Sequence, residues 1–316
     1  MNPTGDGLDP LRHVLPTSLH HVRVVRTADD HGVAVRQLGG AGSTRGVLLL
    51  HGLSQQGYFW DPVIRRLRTG AVATIDLRGH GQSDLPVEAD FSVPGVADDV
   101  WRVADALGWS DVVIIGHSWG AAVTVAAAAA RPDATAAIGL IDGGLWSMSR
   151  LGPRDRVREV LTPPRLAIPE DDWPAVIRSG GLGPYATDEV LAALRPTFTS
   201  DGRGLLTSTV GFDRHMAVLD GLLDYDAESD LEFLRDADAV GWAVVCDERV
   251  ASPWQGMKDL AAAQASERGF PLIHRWAGAI HDVPLQWPDL VAGWIDSLAA
   301  SVGFEDRPPT PRGGTE

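Results

Sequence analysis

The sequence predicts an α/β fold: a mostly parallel sheet flanked by helices, with a helical lid inserted into it. Three observations carry this. Continuous apolar runs, such as residues 47–50 and 112–115, alternate with stretches of helical periodicity and short turns. A Gly-x-Ser-x-Gly motif joins one such run to an alanine-rich segment. The alternation stops at Leu145 and resumes near residue 239. The expected organisation is a core of residues 17–144 and 239–302, a lid of residues 145–238, and flexible tails at 1–16 and 303–316.

Taken in order, residues 1–16 lack periodicity and read as a loose arm. Residues 22–27 and 33–38 are β-like, and Asp29-Asp30-His31-Gly32 between them suggests a hairpin. After a glycine-rich loop, Val47-Leu48-Leu49-Leu50 reads as a strand covered on both faces. His51-Gly52-Leu53 follows it, and a glycine there lets the chain turn the Leu53 amide inward. Residues 58–67 are amphipathic, residues 71–77 form a strand, and residues 96–107 form a helix closed by Gly108. The polar turn Arg78-Gly79-His80-Gly81-Gln82-Ser83-Asp84 lies between the last two and reads as a hydrogen-bonded brace.

Val112-Val113-Ile114-Ile115 then enters Gly116-His117-Ser118-Trp119-Gly120, and residues 121–130 continue as a helix. A serine on a strand-to-helix turn between glycines is a nucleophile elbow. The helix start behind it offers unpaired N–H groups to a negative oxygen. Residues 136–141 form the next strand, ending in Asp142-Gly143-Gly144. The proline-rich stretch that follows reads as helical, with helices at residues 187–194 and 207–223. Inserted at a strand's C-terminal end, it sits where parallel sheets bind ligands. Trp146, Trp173, Phe198, Phe212 and His215 are its candidate pocket residues. Residues 240–246 and 271–277 are strands, residues 254–267 and 288–298 are helices, and His281 lies in the loop after the last strand.

A net charge of −15 disfavours nucleic acid and anionic membranes as partners. The single cysteine, Cys246, rules out an internal disulfide and a cysteine-based metal site. No metal or cofactor is expected. The polar start is not a signal peptide, and no apolar run is long enough to span a bilayer, so the expectation is a cytoplasmic protein whose partner is a small-molecule acyl substrate. The oligomeric state stays open.

The chain resembles the α/β-hydrolase superfamily over residues 20–302, most closely its lid-bearing, bacterial, esterase-like members. The resemblance rests on His51-Gly52, on Asp76 with residues 78–84, on the Ser118 motif, and on His281 before the last helix. It implies Ser118 as nucleophile, His281 as general base, a carboxylate orienting the imidazole, and Leu53 and Trp119 amides as oxyanion hole. Aligned to the family pattern, the usual position of the acid holds Val250. Asp142, ending the strand before the lid, is the preferred acid because Gly143-Gly144 frees the backbone to present it; Asp247, ending the strand after the lid, is the alternative. The expected chemistry is hydrolysis of a carboxylic ester, thioester or lactone through an acyl-enzyme. The same fold also runs C–C bond hydrolysis, acyl transfer, cofactor-free lyase or oxygenase chemistry and peracid formation, and it serves as a non-catalytic ligand binder. Serine at position 118 disfavours epoxide hydrolase and dehalogenase activity, since those relatives place aspartate there.

Overall fold

The computed structural model describes residues 22–26, 31–84, 89–248 and 254–304. The expected arm at 1–16, most of the 303–316 tail, Asp29 and Asp30 of the expected turn, and Val250 lie outside them.

The main sheet is built from β1 (Val22–Arg26), β2 (Gly32–Leu38), β3 (Arg45–Leu50), β4 (Val72–Asp76), β5 (Asp111–His117), β6 (Thr135–Ile141), β10 (Gly241–Asp247) and β11 (Leu272–Ala277). Their spatial order is β1-β2-β4-β3-β5-β6-β10-β11. Pairing is antiparallel from β1 through β2 to β4 and parallel from β4 to β11. The predicted fold class is the one observed.

The apolar runs are continuous because both faces of each central strand are covered. Val47 and Leu49 of β3, with Val113 and Ile115 of β5, pack into a layer with Phe59, Val63 and Ile295. Leu48, Leu50, Val112 and Ile114 point the other way, onto Val96, Val100 and Trp119. Successive strand residues face opposite sides, so a strand buried twice has no polar positions to alternate with. The first layer is closed by α1 (Asp61–Ile64), α10 (Val283–Gln286) and α11 (Pro288–Ser301), the second by α2 (Val93–Leu107) and α3 (Trp119–Ala130). Ser92 caps α2 by accepting the Gly95 N–H, and Gly108 ends it in the left-handed region at φ 76°.

Residues between β6 and β10 carry α4 (Arg154–Leu161), α5 (Trp173–Ser179), α6 (Asp188–Leu194), α7 (Phe212–Leu223) and α8 (Ala227–Asp236). The segment is not wholly helical, as the sequence suggested. It also holds a small antiparallel sheet in the order β7 (Ile168–Pro169), β9 (Leu205–Ser208), β8 (Phe198–Ser200). The helix expected over residues 207–223 begins only at Phe212. Asp201 Oδ1 accepts the N–H groups of Arg203 and Leu205, which turns the chain back and commits Thr207 and Ser208 to β9. After β10, α9 (Gln255–Arg268) packs Ala261, Ala262 and Ala265 onto the sheet. Gly303 and Phe304, assigned by the sequence to a flexible tail, instead fold back: the Phe304 N–H bonds Ala299 O at 3.0 Å, and its ring lies under the Arg45 guanidinium.

Candidate active site

β5 runs into Ser118, whose backbone sits at φ 55°, ψ −118°, and α3 starts at the next residue. That geometry is strained for a side-chain-bearing residue, and such strain concentrates at functional sites. It requires glycine on either side. A Cβ on Gly116 would lie 2.1 Å from Gly120 O, and one on Gly120 would lie 2.5 Å from His51 O. The Ser118 N–H donates to Ile141 O at 2.9 Å, so the elbow is tied to the end of β6. The next residue of that strand end is Asp142.

Three side chains meet there. Ser118 Oγ is 2.9 Å from His281 Nε2, and His281 Nδ1 is 2.6 Å from Asp142 Oδ2. With Nδ1–H donating to the carboxylate, Nε2 is left to accept the serine proton. Asp142 Oδ1 accepts the Cys246 N–H at 3.0 Å, and Oδ2 also accepts from Lys258 Nζ at 2.7 Å. Asp247, the alternative acid, turns instead toward Arg275 at 3.7 Å.

The loop carrying His281 is fixed from three sides. The His117 ring donates from Nε2 to His281 O at 2.8 Å. Gln286 accepts the Ile280 N–H and donates to Gly278 O. Gln55 accepts the Gly52 N–H and donates to Asp282, linking the turn after β3 to the His281 loop. None of these three positioning residues stood out in the sequence. His117 at least lies inside the motif.

Burial disfavours a charged Asp142, but the hydrogen bond from His281 and the nearby charges of His281 and Lys258 outweigh it, holding the carboxyl down at about 2. For His281, desolvation opposes the charged ring. The hydrogen bond to Asp142 and that carboxylate's charge win, so the imidazole sits above its ordinary 6.5. His117 is pushed down to about 4, by burial first and by the charge of His281 second. It is therefore neutral near neutral pH.

Beside Ser118 opens a cavity of about 410 Å³. Leu53 and Trp119 line it, as do Trp146 and His215. The His215 ring is also 2.6 Å from Ser54 Oγ, which joins α7 to the turn after β3. Three predicted pocket residues are corrected. Trp173 is buried against Phe198 inside the segment's own core, because its large ring is the apolar anchor for α5. Phe212 packs with Val157, Met216 and Leu219 and carries the Arg165 guanidinium 3.7 Å above its ring. Trp173, Phe198 and Phe212 all lie outside the cavity wall.

The other polar motif residues act as braces. His51 Nε2 accepts the Leu77 N–H at 3.0 Å. Asp76 accepts the N–H groups of Gly57 and Gln82. Arg78 forms a doubly bonded pair with Asp99 of α2, and Asp84 accepts the Gly32 N–H. Among the described residues no helix is long and apolar enough to cross a membrane.

Residues 46–164 match the family model described as "alpha/beta hydrolase fold". The chain is 35% identical over 145 residues to "Lipase LipV" of Mycobacterium tuberculosis, a match covering 46% of this chain and 52% of that protein. It is 34% identical over 89 residues to "Epoxide hydrolase 4" of Mus musculus, covering 28% of this chain and 25% of that one. The chain thus spans about half, or less, of the length of these curated relatives. Among solved structures, "E-2-(Acetamidomethylene)succinate Hydrolase" superposes with a TM-score of 0.66 at 22% identity, over 89% of this chain and 99% of that one.

Proposed function

We propose that this chain, which belongs to the α/β-hydrolase superfamily, is a serine hydrolase that cleaves an ester, thioester or lactone of a small acyl compound. The observation that carries the reading is the relay from Ser118 Oγ through His281 to Asp142, at 2.9 and 2.6 Å, at the mouth of an apolar cavity. Ser118 attacks the substrate carbonyl while His281 Nε2 takes its proton. Asp142 stays ionised throughout and stabilises the imidazolium. The amides of Leu53 and Trp119 receive the oxyanion; Trp119 is the first residue of α3, so the positive end of that helix adds to the field. His281 returns its proton to the leaving group, and water then attacks the acyl-enzyme with His281 again as base. Residues 145–238 serve as a lid, and Trp146 and His215 shape the acyl pocket beneath it.

Similarity to proteins named as a lipase and as a succinate-derivative hydrolase supports hydrolytic chemistry. Serine at position 118 favours acyl transfer to water over epoxide opening, despite the shared segment with an epoxide hydrolase.

The test uses a fluorophosphonate probe and a series of p-nitrophenyl esters. The expected result is covalent labelling at Ser118 and ester turnover, with Ser118→Ala losing the label and about 10⁴-fold or more in kcat. A protein that neither labels at Ser118 nor hydrolyses any ester of the series would overturn the reading.

A further inference from the structure

α9 presents Ala261, Ala262 and Ala265 to the core, and Lys258 stands on the same stripe, three, four and seven residues earlier. A lysine there is anomalous. Its side chain is only 5% exposed, and burying an ammonium costs several kcal/mol unless it is paired. Its partners are two carboxylates: Asp142 Oδ2 at 2.7 Å and Glu248 Oε1 at 3.3 Å. Asp142 does not need the lysine to be satisfied, because it already holds the His281 ring on Oδ2 and the Cys246 N–H on Oδ1. Lys258 also reaches the wall of the substrate cavity.

We infer that Lys258 is a positioning residue that clamps Asp142 against His281 and sets the pH range in which His281 acts as the base. The inference rests on reading Ser118, His281 and Asp142 as the catalytic relay. Two effects combine. The ammonium fixes the plane of the Asp142 carboxylate, so that Oδ2 faces the imidazole. It also offsets one of the two carboxylate charges that it pairs with: Asp142, which bonds that ring, and Glu248. The charged and titratable groups around the pair are Asp142 on β6, Cys246 on β10, Glu248 after β10, and His281 with Asp282 in the loop after β11; His117 faces the imidazole from β5. With Lys258, Asp142 and Glu248 together carry one net negative charge; without it they carry two. More negative potential at the imidazole favours its protonated form, which cannot accept the Ser118 proton. The presence of Lys258 therefore keeps the base free at lower pH. Glu248 acts with the opposite sign.

The test is the rate of fluorophosphonate labelling of the full chain as a function of pH, which needs no knowledge of the natural substrate. For Lys258→Met the acid limb should move to higher pH by about one unit. For Glu248→Gln, at a side chain that is a quarter exposed, it should move to lower pH. Opposite shifts are a signature that loss of packing alone does not produce. A folded Lys258→Met protein whose limb stays at the wild-type pH overturns the inference. If Lys258→Met does not fold, an unmoved limb in Glu248→Gln overturns it. Wild-type protein that fails to label at Ser118 removes the parent reading instead, and this inference falls with it.

Discussion

Asp142 holds a backbone conformation, φ 49°, that few side-chain-bearing residues adopt. Aspartate is among the types that tolerate it. The bend turns the carboxylate out of the line of β6 and onto the His281 loop. The sequence left the acid open between Asp142 and Asp247 for a physical reason. β6 and β10 are neighbours in parallel register, Val244 opposite Ile141, so both aspartates leave the same edge of the sheet. What separates them is tertiary: Cys246 N–H and Lys258 hold one carboxylate inward, while Arg275 draws the other outward. No local pattern reports that. Ser118 and His281 were legible because the strand-turn-helix motif and the loop position are local. If Asp142 orients the base, Asp142→Asn should lower kcat for ester hydrolysis by about 10⁴-fold, through the wrong imidazole tautomer. Asp247→Asn should stay within about threefold of wild type. Steady-state kinetics of the two variants decides between them, and the reverse order would hand the role to Asp247.

At the scale of elements, the elbow is a contact between backbones, and the glycines carry it. Gly116→Ala would drive a methyl group into Gly120 O, which is backbone and has no rotamer to yield. We expect this substitution to cost about 3 kcal/mol or more and to displace Ser118, so that labelling fails as well. Gly293 is the matched contrast. It lies inside α11 at a negative φ, and a methyl group added there would meet nothing within 4 Å. Gly293→Ala should therefore stabilise the fold by about 0.5–1 kcal/mol by restricting the unfolded chain and favouring helix. Urea midpoints of the two variants should move in opposite directions; a Gly116→Ala protein with wild-type midpoint and labelling would show that the close approach is dispensable. The same contrast explains which elements could be read in advance. The strands and long helices of the core announce themselves by period and by apolar runs. The pieces between β6 and β10 are two to twelve residues long, and a turn at Asp201 decided whether Thr207 joined a strand or a helix.

Across the whole molecule, the cavity is shared between two layers. Ser118, Trp119 and His281 form its floor from the sheet edge, while Leu151, Leu161 and Leu222 come from the segment above. Its walls are chiefly apolar, and the one ammonium that reaches it among the described residues, Lys258, is already paired with two carboxylates. A chain of net charge −15 also repels anions at a distance. On the proposed reading, both features favour an uncharged acyl group. Within such a pocket each buried methylene is worth about 0.8 kcal/mol, or roughly a fourfold gain in kcat/KM per carbon. The gain should continue along a p-nitrophenyl ester series until about 410 Å³ is filled, and then reverse. Leu161 ends α4 and is only partly buried, so a larger side chain there intrudes on the cavity without overfilling the core. Leu161→Trp should move the optimum to shorter acyl chains while leaving acetate-ester turnover within about twofold of wild type. If the acyl group lay elsewhere, the optimum would not move, and the assignment of this cavity to the acyl chain would fail.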